Sequence, residues 1–193
     1  MAIKILGGDF RGFPLNTPKA DTTRPTSVVV RRKLFDWRQN LEGYQFIDLC
    51  SGSGAVGFEA LSRHADKVWL NDMVKGSFLT IKDNRDRIVK SFNVDADKIK
   101  VTQLDSRKWL EKELPYEFTD TENAIVYLDP PYEDHALYVD LLALLKKQNY
   151  KGEVWVESDL KKGPTQEKIT GAFRSVIKVF SQGDHFVVVG FLI

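Results

Sequence analysis

Apolar residues recur along this chain in two rhythms that alternate from about residue 46 onward. Short runs read as strands buried on both faces: Phe46-Ile47, Lys67 to Asn71, Ile99 to Leu104, Ala124-Ile125-Val126-Tyr127-Leu128 and Glu153 to Glu157. Between them apolar positions return at helical spacing, in Val56, Ala60 and Leu61, in Val74 to Phe92, in Arg107 to Glu113, and in Asp134 to Gln148 with Leu137, Leu141, Leu144 and Leu145 inward. This alternation predicts a parallel sheet joined by right-handed crossovers. The tail departs from it: Arg174 to Phe180 and His185 to Leu192 flank Ser181-Gln182-Gly183-Asp184, the pattern of a β-hairpin. At the start, Ile3 to Leu6 and Phe13 to Leu15 predict a small hairpin around Gly7-Gly8. Thr26 to Asn40 predicts a helix with Ser27 near its cap and Leu34 and Trp37 on one face. With 193 residues, 42% of them hydrophobic, the chain can build one α/β domain core, residues 41–193, preceded by an extension, residues 1–40.

Chemistry concentrates where the strands end. Asp48, Asp72, Asp105 and Asp129 follow four successive strands. In an open α/β sheet ligands sit beyond the carboxyl ends of the strands, so the four carboxylates are expected on one rim. The segment Asp48-Leu49-Cys50-Ser51-Gly52-Ser53-Gly54-Ala55-Val56-Gly57 is a glycine-rich turn opening a helix. Such a turn brings backbone close to a ligand, and free N–H groups at the helix start favour a negatively charged ligand group. Asp72 follows Gly52 by 72 − 52 = 20 residues, the interval at which a carboxylate takes ribose hydroxyls.

A nucleoside-bearing cofactor is therefore expected. Gly52, Gly54 and Gly57 also satisfy the dinucleotide fingerprint, which keeps a nicotinamide enzyme as a rival. Against it stand Asp48, suited to the amino group of an amino-acid-like cofactor, and Asp105 with Ser106, suited to an adenine amino group. No Cys/His or Tyr/Lys arrangement for hydride chemistry is evident. The competing reading of Asp48 and Asp105 is that each caps the turn or helix that follows.

The tetrapeptide Asp129-Pro130-Pro131-Tyr132 has the parts needed to present an amino group to an electrophile. An exocyclic amine on a nucleobase is a poor nucleophile because its lone pair is conjugated into the ring. An enzyme that alkylates it needs acceptors for its N–H bonds, an aromatic face for the base and a stiff backbone. Asp129 and the Pro130 carbonyl provide acceptors, the two prolines fix φ, and Tyr132 provides the face. The competing reading is a proline-stiffened turn with Tyr132 capping the core.

Read with Gly7-Gly8, Arg11-Gly12, Thr23-Arg24-Pro25-Thr26-Ser27, Val30-Arg31 and Leu34-Phe35, these motifs make the chain resemble the RsmD family of small-subunit (16S) ribosomal RNA guanine-N2 methyltransferases, which use S-adenosylmethionine. The resemblance implies a Rossmann-like class I fold, a seven-stranded, mostly parallel sheet with helices on both faces and an antiparallel C-terminal hairpin strand. It implies cofactor contacts from Asp48, Cys50, Gly52, Ser53, Gly54, Asp72, Met73, Asp105 and Ser106, and catalytic positions at Asp129, Pro130, Pro131 and Tyr132. Its partner would be ribosomal RNA, free or within the 30S subunit or an assembly intermediate, met by a monomer. Two departures stand out: Asn71-Asp72 replaces the family's usual glutamate at the second strand end, and Val28, Val29 and Arg32 replace its usual pattern after Ser27.

Charge sharpens the partner. Residues 1–40 carry eight basic and three acidic residues, +5, leaving 20 basic and 24 acidic in residues 41–193, −4, for the net +1. A basic arm can neutralise phosphates, which nominates Arg11, Arg24, Arg31 and Arg32 for RNA. The single cysteine, Cys50, permits no internal disulfide; with neither an apolar run of membrane length nor a charged-then-apolar leader, the expected location is cytoplasmic. His64, His135 and His185 lack metal-ligand spacing and read as surface or loop residues, so no metal is expected. Glu157 either lines the pocket or begins a turn. Transfer to another planar amine, adenine N6 or a glutamine amide, and a noncatalytic RNA-binding scaffold remain open beside the ribosomal RNA reading.

Overall fold

A computed structural model describes residues 3–18, 28–118 and 120–193. The opening segment forms a two-stranded antiparallel hairpin, β1 (Ile3–Lys4) and β2 (Pro14–Leu15), followed by α1 (Val28–Trp37). The rest alternates β3 (Gln45–Asp48), α2 (Ala55–Ser62), β4 (Lys67–Asn71), α3 (Lys75–Phe92), β5 (Ile99–Thr102), α4 (Ser106–Glu117), β6 (Ala124–Leu128), α5 (His135–Lys147) and β7 (Glu153–Asp159). It closes with α6 (Gln166–Thr170) and the strands β8 (Ser175–Gln182) and β9 (His185–Phe191). α6 and a 3₁₀ turn at Ala96–Lys98 are too short to leave a periodic signal in the sequence.

Seven strands lie in the order β5-β4-β3-β6-β7-β9-β8. β5 to β7 are parallel and β9 runs antiparallel to both β7 and β8. The chain winds from β3 outward to β5, then crosses back to β6 beside β3. The strand order therefore reverses between β3 and β6, and a crevice opens beyond their carboxyl ends.

Alternation along the central strands explains their unbroken apolar runs. Ile125 and Tyr127 of β6 enter one core with Phe46, Val68 and Leu70, under α1, α2 and α3. Val126 and Leu128 enter the other with Ile47, Trp69, Trp109 and Leu141, under α4, α5 and α6. A strand covered on both faces has no polar side to show. β8, at the sheet edge, is mostly exposed and carries a register shift between Val176 and Lys178, features that discourage pairing with another strand.

The opening segment belongs to the same core, which includes Ile3, Ile5, Phe10, Leu15, Val30 and Leu34. It is fastened by Glu59, a fully buried carboxylate on α2 that accepts from Leu6 N (2.7 Å), Gly7 N (2.9 Å) and Arg63 Nε (2.9 Å). Three donors offset the desolvation that would otherwise make a buried charge untenable. At Gly8, with φ +70°, a Cβ would fall 1.8 Å from the Ser62 carbonyl oxygen, so the hairpin can lie this close to α2 only without a side chain. No described helix is long and apolar enough to cross a membrane.

Candidate active site

The glycine turn links β3 to α2. Gly52 has φ +57° and Gly54, the N-cap of α2, φ +81°. A Cβ at Gly52 would meet nothing within 4 Å, so this backbone borders open space. Gly57 serves packing instead, since a Cβ there would lie 2.1 Å from Leu70 Cδ2, and its absence lets α2 press against β4. Asp72 braces the turn from the next strand, its carboxylate accepting from Gly52 N (2.8 Å) and Val74 N (2.9 Å). Beside it Asn71 is fully spent on structure. Its oxygen accepts from Thr102 Oγ1 (2.9 Å) and Leu104 N (3.1 Å), and its amide donates to the carbonyls of Leu49 (3.1 Å) and Leu104 (3.0 Å). Asn71 staples three strand ends together and leaves Asp72 as the carboxylate facing the turn.

Asp48, at the end of β3, is buried with no hydrogen bond to either carboxylate oxygen among the described residues. Burial, reinforced by the charge of Asp72, pushes its pKa up to about 7. The Ser51 hydroxyl and the Gly57 and Cys50 amides lie near enough to temper that rise without reaching hydrogen-bond geometry. A buried acceptor without a donor is unstable by itself and marks a place where a ligand's donor would be welcome. Cys50 lies between the halves of the crevice. Its Sγ is 3.6 Å from Ser106 Oγ, which donates to the Leu49 carbonyl (2.9 Å). Burial first, then the charges of Asp129, Asp72 and Asp48, push the thiol pKa far up, so Cys50 remains a neutral thiol. Asp105 caps α4, accepting from Arg107 N (3.0 Å) and Lys108 N (3.3 Å), and Arg107 Nη1 lies 3.7 Å from its second oxygen. Ser53 is buried and Met73 is exposed at the mouth.

Across the crevice, Asp129 follows β6 and the Pro130-Pro131 corner turns into α5, capped by Asp134, which accepts from Leu137 N (3.0 Å). Tyr138 of α5 places its hydroxyl 3.1 Å from the Pro130 carbonyl oxygen and 3.0 Å from that of Glu157. The Tyr132 hydroxyl donates toward Glu157 Oε1 (3.2 Å) and lies 3.2 Å from His185 Nδ1. The Tyr127 hydroxyl donates to Glu157 Oε2. Burial drives the phenols of Tyr127, Tyr132 and Tyr138 upward in pKa, with Asp129 adding to all three, so they stay neutral donors. Glu157, fully buried, is itself raised to about 7 by burial.

A family model described as Conserved hypothetical protein 95 matches residues 3–183. Ribosomal RNA small subunit methyltransferase D of Escherichia coli (strain K12) is 29% identical over 183 residues, 88% of this chain and 85% of its own. The Haemophilus influenzae protein of the same name is 30% identical over 149 residues, 77% of this chain and 72% of its own. The chain belongs to the RsmD family. The solved structure of Escherichia coli yhhF matches with a TM-score of 0.73 at 25% identity, covering 98% of this chain and 97% of that one. The strand order and antiparallel C-terminal pair are those of a class I methyltransferase fold.

Within this RsmD-family chain the structure gathers Asp48, Cys50, Gly52, Asp72, Ser106, Asp129 and Tyr132 at one rim, and it corrects two expectations. Arg31, nominated for RNA, is 1% exposed, and its guanidinium donates to the carbonyls of Lys4 (2.7 Å) and Ala55 (3.2 Å). It ties the hairpin to the start of α2 and has no surface to offer a phosphate. Arg11 and Arg32 are exposed, while Arg24 and the rest of Thr23 to Ser27 lie outside the described residues. His185, read as a surface or loop residue, opens β9 half-buried, with Nδ1 3.7 Å from Asp159 Oδ2 as well as beside Tyr132. Glu157 belongs to the wall behind the tetrapeptide, not to a turn. A carboxylate inside Val154-Trp155-Val156-Glu157 was its signal in the sequence. Nothing in the sequence marks His185, because its neighbours come from two other segments.

Proposed function

We propose that this protein transfers a methyl group from S-adenosylmethionine to the exocyclic N2 amine of a guanine in small-subunit ribosomal RNA. The observation that carries the reading is the parallel pairing of β3 with β6, which sets Asp48 opposite Tyr127 and so brings the glycine turn, braced by Asp72, beside the proline-locked corner that follows β6. The cofactor fits the residues present: Asp48 has acceptor capacity for its amino group, Asp72 for its ribose, the open backbone at Gly52 for its amino-acid end, and the α4 start at Asp105 and Ser106 for its adenine. When bound, it supplies a methyl group activated by a sulfonium charge.

The protein's own contribution is orientation. Asp129 and the Pro130 carbonyl accept from the amine; that carbonyl keeps a lone pair for the purpose although the Tyr138 hydroxyl already lies against it. Tyr132 offers the stacking face for a base drawn out of its helix or loop. Positioning of this kind can contribute on the order of 7–11 kcal/mol. The proton shed by the methylated nitrogen leaves to water or to the Asp129 carboxylate. Small-subunit specificity is supported by the names of the Escherichia coli and Haemophilus influenzae relatives. Exposed Arg11 and Arg32 are proposed to meet RNA phosphates.

A transfer assay with labelled methyl donor decides the matter, offering naked 16S ribosomal RNA, free 30S particles, DNA and protein side by side. Label is expected on RNA, at guanine N2 after nucleoside digestion. Label on DNA or on a protein amide instead would replace the proposal with another planar amine.

A further inference from the structure

We infer that Glu157 is a positioning residue for the acceptor: from the neighbouring strand it holds the Tyr132 hydroxyl and so fixes the direction of the ring against which the target base stacks. This rests on the methyl-transfer reading of the same pocket. Pro130 and Pro131 fix the backbone of the corner, yet the Tyr132 ring could still swing about its Cα–Cβ bond. A stacking platform that swings presents the amine at a range of positions and angles, and in-line transfer tolerates little of that.

The ring is held at its far end. Its hydroxyl lies 3.2 Å from Glu157 Oε1 on β7 and 3.2 Å from His185 Nδ1 on β9. Glu157 cannot shift in response, because Tyr127 of β6 donates to its other oxygen and Tyr138 of α5 reaches its main-chain carbonyl at 3.0 Å. Through Tyr138 the same residue is coupled to the Pro130 carbonyl, 3.1 Å from that hydroxyl. One glutamate therefore braces both the aromatic face and one amine acceptor. Burying a carboxylate is costly unless donors meet it, so the partners of Glu157 within this fully buried strand say what it is for. What the carboxylate adds is two acceptor oxygens set for two phenols. The remaining ionisable neighbours are Asp129, whose charge acts on all three phenols, and Asp159, which lies 3.7 Å from His185 Nδ1.

The test is a double-mutant cycle read by methyl transfer to RNA, with cofactor affinity measured by calorimetry as the check on folding. Glu157→Gln and Tyr132→Phe should each lower kcat/KM for RNA about 10- to 100-fold, the range for a hydrogen bond to a charged group, with cofactor affinity unchanged. In the Tyr132→Phe background Glu157→Gln should cost less than about 3-fold further, while in a Tyr127→Phe background its full effect should persist. Should Glu157→Gln fail to bind cofactor, Glu157→Asp, which withdraws the charge by one methylene, takes its place in the cycle with the same expectation. A full loss persisting in the Tyr132→Phe background, or a loss abolished only by Tyr127→Phe, overturns the inference and makes Glu157 part of the β6–β7 core. Wild-type protein that methylates no RNA would instead overturn the functional reading, and this inference with it, before any variant is compared.

Discussion

The two halves of the crevice are built from different materials. On the β3–β5 side the ligand-facing surface is largely backbone: a glycine turn bordering open space, a helix start, and single carboxylates, one of them, Asp48, buried with no hydrogen-bond partner among the described residues. On the β6–β9 side it is an interlocked set of side chains in which Glu157 joins Tyr127 and Tyr132, and Tyr138 bridges to Pro130. The first half is incomplete until a donor arrives. The second is satisfied in advance. That is the arrangement expected if one side binds a donor-rich cofactor and the other must hold a planar acceptor still while chemistry occurs, because preorganisation lowers a barrier only where the groups do not move.

The largest expected effect comes from the acceptor half. Asp129→Ala should lower turnover about 10²- to 10⁴-fold in the labelled-methyl assay, by removing the acceptor proposed to orient the amine. Calorimetry should find cofactor affinity within a few-fold of wild type, because the proposed cofactor contacts lie at and beyond the ends of β3, β4 and β5. Equal loss of binding and turnover would break the division between halves and make Asp129 a structural residue.

The cofactor half should respond in the opposite sense. Asp48→Asn removes a charge that burial already disfavours, with a pKa near 7 against an ordinary 3.8. Thermal denaturation at pH 8 should show the variant more stable, on the order of 1–3 kcal/mol. Cofactor affinity should fall about 10- to 100-fold, as expected for loss of a charge-assisted contact. A variant that is destabilised while retaining cofactor affinity would show that Asp48 supports the fold and not the ligand.

Legibility in the sequence follows the same division. The sheet, its crossovers and the terminal hairpin could be read because buried strands and amphipathic helices leave periodic traces over many residues. The cofactor half was nearly as open: Asp48 to Gly57 is one continuous segment, and Asp72 sits at a countable distance from it. Asp129 to Tyr132 is equally contiguous, and Glu157 could be nominated for the pocket from its place late in a strand; Tyr138 and His185 could not, since they come from two other elements and meet Glu157 and the tetrapeptide only through the packing of α5 and the β6-β7-β9 pairing. Arg31 misled for a related reason. Its charge counts toward a basic arm, and only the approach of Lys4 and Ala55 reveals that its donors point inward.

The smallest effect separates the halves by pH. Asp48 and Glu157 both have folded pKa values of about 7, above their ordinary 3.8 and 4.5, so between those limits the folded protein binds more protons than the unfolded chain. Stability contributed by each is then fully present at low pH and is lost as pH rises toward 7, the reverse of a salt-bridged carboxylate. On going from pH 8 to pH 6 each group should add stability on the order of 1 kcal/mol. Asp48→Asn and Glu157→Gln, compared with wild type by denaturant unfolding, should each remove one such increment. Saturating S-adenosylmethionine should discriminate further. With its amino group beside Asp48, as proposed, it should lower that pKa and cancel the cofactor-half increment, leaving the Glu157 increment in place. If cofactor abolished both increments or neither, the two halves would have to be treated as one electrostatic unit, with Asp129 carrying the charge from one side of the crevice to the other.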